Sequence, residues 1–300
     1  MGHSHDHNHD TKGKKLVISI LLNVLITVSQ VIGGLVSGSL ALLSDALHNF
    51  SDVLSLLISY IADKLSKRKA SLSKTFGYKR AEIIAAFVNS STLLIVAVYL
   101  IYESIERFIT PQEIESNLVI WLSGIAILAN GFSVLLLKKE ADSNMNLRSA
   151  YLHLITDMSA SVAVLIGGLL MKYYQIWWID SVLTFCIAIY LVYMGYDLFK
   201  QSLKVLMLFT PGNVSIDAII ATVNNFKEVK AMHHVHVWQL NEQEVHLEAH
   251  IDLHRDLSIS EFDKILLRIE SYVHDEFGIN HVNIQPEFNK ADSKDVIVQD

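Results

Sequence analysis

Cysteine is almost missing from this 300-residue chain. Its single Cys186 falls inside an apolar run, which excludes a disulfide framework and any cysteine-built metal site. Charge is scarce as well: 18% of residues are charged against 51% hydrophobic, and the mean hydropathy is +0.35. That balance excludes an ordinary soluble domain and describes an integral membrane protein with a soluble part. The net charge of −7 is unevenly placed, with acidic residues gathered toward the C-terminal end and basic ones in short loops, which argues against nucleic acid as a partner. A cleavable signal peptide is not expected, because the first residues are His- and Asp-rich and the first apolar run is too long and lacks a small-residue cleavage site.

Histidine, by contrast, is plentiful, with 14 residues. The opening MGHSHDHNHD is low-complexity and cannot build a core. The interspersed Asp and Asn make it read as a metal-collecting tail rather than a purification tag.

Two other histidines lie inside apolar runs, in LHNFSD and LHLITD, each four residues ahead of an aspartate: His48 with Asp52, and His153 with Asp157. The second stretch lies 105 residues after the first and repeats its spacing. Residues four apart share one helix face. Two such faces turned toward each other offer two imidazole nitrogens and two carboxylates, a tetrahedral set that suits zinc. An ionised Asp near the bilayer centre costs about 2.5–3.5 kcal/mol, so two of them need a compensating reason. A proton relay, or a plain contact in which His and Asp bond each other, are the other readings; the duplication favours metal.

Six apolar segments, 16–36, 40–62, 83–101, 118–137, 150–171 and 177–198, each approach the roughly 20 residues of a spanning helix. The first carries Asn23, Thr27 and Gln30 and the second and fifth carry the His/Asp pairs, so these three are expected to face the bundle interior. Lysines and arginines crowd the start, the loop from Lys64 to Arg80 and the loop from Lys138 to Arg148, whereas the opposite connections hold mainly Arg107 and Lys172. The positive-inside rule therefore predicts both termini in the cytoplasm, with the short loops pointing to a bacterial cell membrane. Beyond Pro211 and Gly212 the pattern predicts helix, strand, strand, helix, strand. The expected fold is a membrane all-α bundle of six helices followed by a cytoplasmic α+β domain of order αββαβ. Its boundaries are a tail at 1–15, the bundle at 16–203, the soluble domain at 204–288 and a disordered polar tail at 289–300.

The stretches SGSLALLSDALHNFSD, TFGYKRAEI, LHLITD, HHVHVW and HVNIQPE, in this layout, resemble the cation diffusion facilitator family and its bacterial zinc, cadmium and cobalt efflux branch. The resemblance covers nearly everything from Lys15 to Glu287. It implies proton-coupled export of a divalent metal, Zn2+ with Cd2+ or Co2+, by a homodimer in a lipid bilayer, with no enzymatic activity and no cofactor besides the bound ion. The transport ligands it implies are His48, Asp52, His153 and Asp157. The soluble domain is expected to be metallochaperone-like, with His250, His281 and Glu287 as ligands and His233 and His236 as further candidates. His246 and His254 stay outside that set, although strand alternation places them on one face with Glu248, His250 and Asp252.

Two features depart from the family pattern. The loop after the second helix holds Ser, Lys, Arg and Tyr78 where some members carry a His/Asp cluster, so no metal site is expected there. Leu208 stands where an acidic partner for Arg80 would be, so that ion pair is not expected. Asp45, one turn before His48, either assists ion entry or bonds a neighbouring helix; Asn49 and Ser51 read as helix-contact or supporting residues. Gly33, Gly34, Gly38, Gly167 and Gly168 read as sites of close helix packing. Three rival functions compete. A zinc hydrolase lacks a Glu beside either His to act as base, a membrane-anchored zinc sensor leaves the intramembrane carboxylates unexplained, and a passive zinc channel predicts flux without proton movement.

Overall fold

The computed structural model describes residues 7–141 and 145–298. Residues 1–6 of the His-rich start lie outside the described residues. The chain forms α1 (His7–Ser37), α2 (Leu40–Ser66), α3 (Ala81–Ile109), α4 (Ser116–Ala141), α5 (Met145–Tyr174) and α6 (Trp178–Leu206). There follow α7 (Ile216–Asn224), β1 (Val229–Gln239), β2 (Val245–Leu253), α8 (Ile259–Phe277) and β3 (His281–Glu287), the αββαβ order that the periodicity predicts. Two compact units result, one made of 59–87 and 199 onward, the other of the remaining helices.

Among the described residues five helices, α2 to α6, are long and apolar enough to cross a membrane, and α1 adds a shorter apolar stretch, Leu21–Ser37. In the helical unit the usual distribution is reversed. Leu25, Ile32, Ile95, Tyr102, Leu128 and Leu135 are exposed, while Gln30, Asp45, Asn49, Asn130, Asp157 and Asp180 are buried. Outward apolar and inward polar surfaces are what a hydrocarbon solvent selects, since an unpaired polar group costs several kcal/mol there. α1 passes close to its neighbours at two adjacent glycines. A Cβ on Gly33 would fall 1.9 Å from the Leu122 Cδ1 methyl, and one on Gly34 would lie 3.0 Å from the backbone N of Leu43.

In the C-terminal unit the sheet order is β1-β2-β3, antiparallel then parallel. α8 buries Phe262, Ile265, Ile269 and Val273 at helical spacing. It starts at a capping box of Ser258 and Glu261 and stops at Gly278, whose φ of +68° ends the helix in the left-handed region. β1 is irregular between His233 and His236, where His234 takes φ +52°. That irregularity leaves room for a further edge segment. Residues 289–298, expected to be disordered, run beside it: His234 N donates to Asp295 O at 3.1 Å and Val235 N to Val296 O at 2.8 Å. The polar composition that suggested disorder supplies lysines to buried carboxylates, so the ends of long side chains hold the segment where an apolar core would otherwise be needed.

Candidate metal sites

In the helical unit α2 presents His48 and Asp52, and α5 presents His153 and Asp157, each pair one turn apart on one face. His48 Nε2 lies 3.8 Å from Asp52 Oδ2 and 3.9 Å from Asp157 Oδ1. His153 Nε2 lies 3.3 Å from Asp52 Oδ2 and 3.5 Å from Asp157 Oδ2. All four predicted residues are therefore brought together, with each imidazole facing both carboxylates. The Asp157 side chain is 0% exposed, yet neither of its oxygens has a hydrogen-bond partner among the described residues, and the same holds for Asp52 Oδ2. Buried carboxylate oxygens without partners are costly, and here they converge on the imidazole nitrogens. Tyr190 of α6 stands edge-on to His48, ring centroids 6.1 Å apart.

Asp45 does not join this group. Its Oδ2 accepts from Gln30 Nε2 of α1 at 2.8 Å and from Ser161 Oγ of α5 at 3.1 Å, so it ties three helices together one turn from His48. Asn49 is fully buried, and its Oδ1 has no partner among the described residues. A third buried carboxylate, Asp180 of α6, stands at the N-terminal end of α2. It accepts from Ser39 Oγ at 2.5 Å and from Leu40 N at 2.8 Å, capping the helix that carries His48 and Asp52. Sequence reasoning missed Asp180, Tyr190 and Ser161, because each acts through residues more than a hundred positions away.

The C-terminal unit holds a second cluster. The β1–β2 register sets His233 opposite His250, and the β2–β3 register ends at Asp252 and Glu287. His250 Nδ1 lies 3.0 Å and His233 Nε2 3.4 Å from the Glu287 carboxylate. One ligand atom each from His233, His250, Glu287 and Asp292 all fall within 4.8 Å of one another. Both ring nitrogens of buried His233 lack hydrogen-bond partners among the described residues. Burial pushes the His250 pKa down, opposed by the facing Glu287. For Glu287 burial works upward, and hydrogen bonds from Lys290, Lys294 and Gln285 override it, so its pKa lies below the ordinary glutamate value.

Two predicted members are elsewhere. His281 opens β3 whereas Glu287 closes it, and six residues of strand rise separate them by about 20 Å. His281 instead neighbours His246, ring centroids 4.4 Å apart. His236 lies past the irregularity in β1, paired with Glu248, and lines an apolar cleft with Ile216, Val237 and Trp238. Asp292, within the polar segment expected to be disordered, takes a place in the cluster. The basic loop before α3 meets the same unit through Lys79, 2.6 Å from Glu244.

Comparison with known proteins bears on both units. Residues 16–207 match the family model described as the cation efflux transmembrane domain, and residues 211–288 that of the cation efflux protein cytoplasmic domain. The cadmium, cobalt and zinc/H(+)-K(+) antiporter of Bacillus velezensis is 38% identical over 289 residues, covering 96% of this chain and 92% of that one. Its namesake in Bacillus subtilis is 36% identical over 285 residues, 94% and 91% of the two chains. The zinc transporter ZitB of Pectobacterium atrosepticum is 32% identical over 295 residues, 97% and 91%.

Proposed function

The chain belongs to the cation efflux family of multi-pass membrane transporters, and from that premise we propose that it expels zinc, and also cadmium or cobalt, from the cytoplasm by exchange against protons. The observation that carries the proposal is the quartet of His48, Asp52, His153 and Asp157, whose imidazole nitrogens stand 3.3–3.9 Å from the facing carboxylate oxygens, with Asp52 Oδ2 and both Asp157 oxygens lacking hydrogen-bond partners among the described residues. A tetrahedron of ligands about 2.0–2.1 Å from zinc has edges of about 3.3–3.4 Å. Small movements of two helices would therefore close the group on an ion. Two imidazoles in the set suit zinc, cadmium and cobalt, whereas an all-oxygen site would suit manganese.

The same ligands supply the coupling. A protonated imidazole or carboxyl group cannot ligate, so metal arriving from the cytoplasmic side expels the protons those groups carry. When the site opens outward and takes up protons again, metal leaves, and an inward proton gradient drives metal out. Asp45 and Asp180 keep α1, α2, α5 and α6 in register while the site alternates. The distribution of basic residues favours cytoplasmic termini in the cell membrane. We assign His233, His250, Glu287 and Asp292 to a second, cytoplasmic metal site in a domain that pairs two protomers.

The deciding experiment reconstitutes the purified protein in liposomes with a zinc dye and a pH dye read together, for wild type and Asp52→Ala. Zinc movement that follows an imposed proton gradient, moves protons oppositely and vanishes in the variant is expected. Zinc flux indifferent to protons overturns the antiport and favours a channel; zinc binding without flux favours a sensor. Because the Bacillus relatives are named for potassium as well as protons, the assay is run with and without a potassium gradient.

A further inference from the structure

We propose that the C-terminal segment 289–298 is a cation-displaced strap: Lys290 and Lys294 hold the Glu287 carboxylate until a divalent ion replaces them, and Asp292 of the same segment becomes a ligand of that ion. The inference rests on reading the His233, His250 and Glu287 cluster as a metal site. Lys290 Nζ donates to Glu287 Oε1 at 2.6 Å, and Lys294 Nζ donates to Glu287 Oε2 and to Asp252 Oδ1, both at 3.0 Å. Both oxygens of the buried Glu287 carboxylate, which faces the two histidines, are thus taken by ammonium groups. Lys290 and Lys294 also pair with Asp292, the first at 3.2 Å.

An ammonium and a divalent cation compete for the same oxygens, but neither lysine reaches His233, whose ring nitrogens lack hydrogen-bond partners among the described residues, whereas a metal on Glu287 can take one of them as a further ligand. The two lysines are 46% and 36% exposed at the side chain, so they leave to water at little cost, while Glu287 at 1% does not. Once they leave, Asp292 keeps its place within 4.8 Å of the other donors and loses both of its ammonium partners. The backbone bonds from His234 and Val235 to Asp295 and Val296 keep the segment at the sheet edge during the exchange. The segment therefore sets the affinity of the site: its lysines hold it down, and its aspartate completes the shell.

The test is zinc titration calorimetry on the full-length protein in detergent, in an Asp52→Ala, Asp157→Ala background that removes both carboxylates of the membrane site. Lys290→Ala with Lys294→Ala is expected to tighten zinc binding about three- to tenfold, the range of two partly exposed ion pairs released. Asp292→Asn is expected to weaken it by a similar factor. Hydrogen exchange at 290–294 is expected to change on adding zinc, while the amides of His234 and Val235 stay protected. Unchanged affinity in the lysine and aspartate variants, with a zinc equivalent still lost in His233→Ala, His250→Ala, overturns the strap and leaves the metal site standing. No loss of that equivalent in the histidine variant overturns the metal reading itself.

Discussion

Asp157 Oδ1 stands 3.9 Å from His48 Nε2 across the gap between α5 and α2, and the carboxylate that carries it is fully buried with no hydrogen-bond partner among the described residues. A group so placed is a stability cost retained for a task. Asp157→Asn is expected to lower zinc transport in proteoliposomes by at least about 100-fold, the upper end of what even indirect metal-site substitutions cost. The same change removes a buried carboxylate whose oxygens have no hydrogen-bond partner among the described residues. The melting temperature measured with chelator present should therefore rise, by about 2–4 °C if the relief is near 1 kcal/mol. Loss of transport together with a fall in melting temperature would show that Asp157 serves packing instead.

Asp45 makes the opposite case, since its carboxylate is satisfied by Gln30 and Ser161. Asp45→Ala strands both donors in the bundle interior and is expected to cost about 1–3 kcal/mol per unsatisfied group, read as a lowered melting temperature. Asp45→Asn keeps an acceptor oxygen and should fall between the variant and wild type, with transport retained. An Asp45→Asn protein that melts like wild type but carries no zinc would place Asp45 on the ion path.

How far the sequence revealed this arrangement depended on whether a feature is local or long-range. The HxxxD pairs were legible because four residues are one helical turn, and the αββαβ order because each element repeats its own period. That His281 and Glu287 stand at opposite ends of one strand follows from the strand itself, but which of them lies near His250 required the parallel register of β2 and β3. Asp180 was invisible for a related reason: it caps a helix that begins 140 residues earlier. The tail misled because lysine and aspartate read as solvated residues unless a buried carboxylate is known to await them.

The register gives a prediction within the C-terminal domain. In the background lacking Asp52 and Asp157, His250→Ala is expected to weaken zinc binding at least about tenfold. His281→Ala and His236→Ala should leave it unchanged, because neither reaches Glu287. A loss of affinity in His281→Ala equal to that of His250→Ala would mean that metal is held at the His246 end of the sheet.

The two glycines of α1 separate a soft contact from a hard one. A methyl on Gly33 meets the tip of Leu122, which can rotate away, whereas one on Gly34 meets the backbone N and Cα and the Cβ of Leu43 at 3.0–3.1 Å, none of which can turn aside. The Gly34→Ala substitution must therefore move α1 bodily from α2, and with it Gln30 from Asp45. Its cost is expected to be about 1–3 kcal/mol, the usual range for overpacking, while Gly33→Ala should cost less. Thermal melting and zinc flux measured on both variants check this: Gly34→Ala should lower both, and equal effects at the two positions would show that α1 is free to shift against α2.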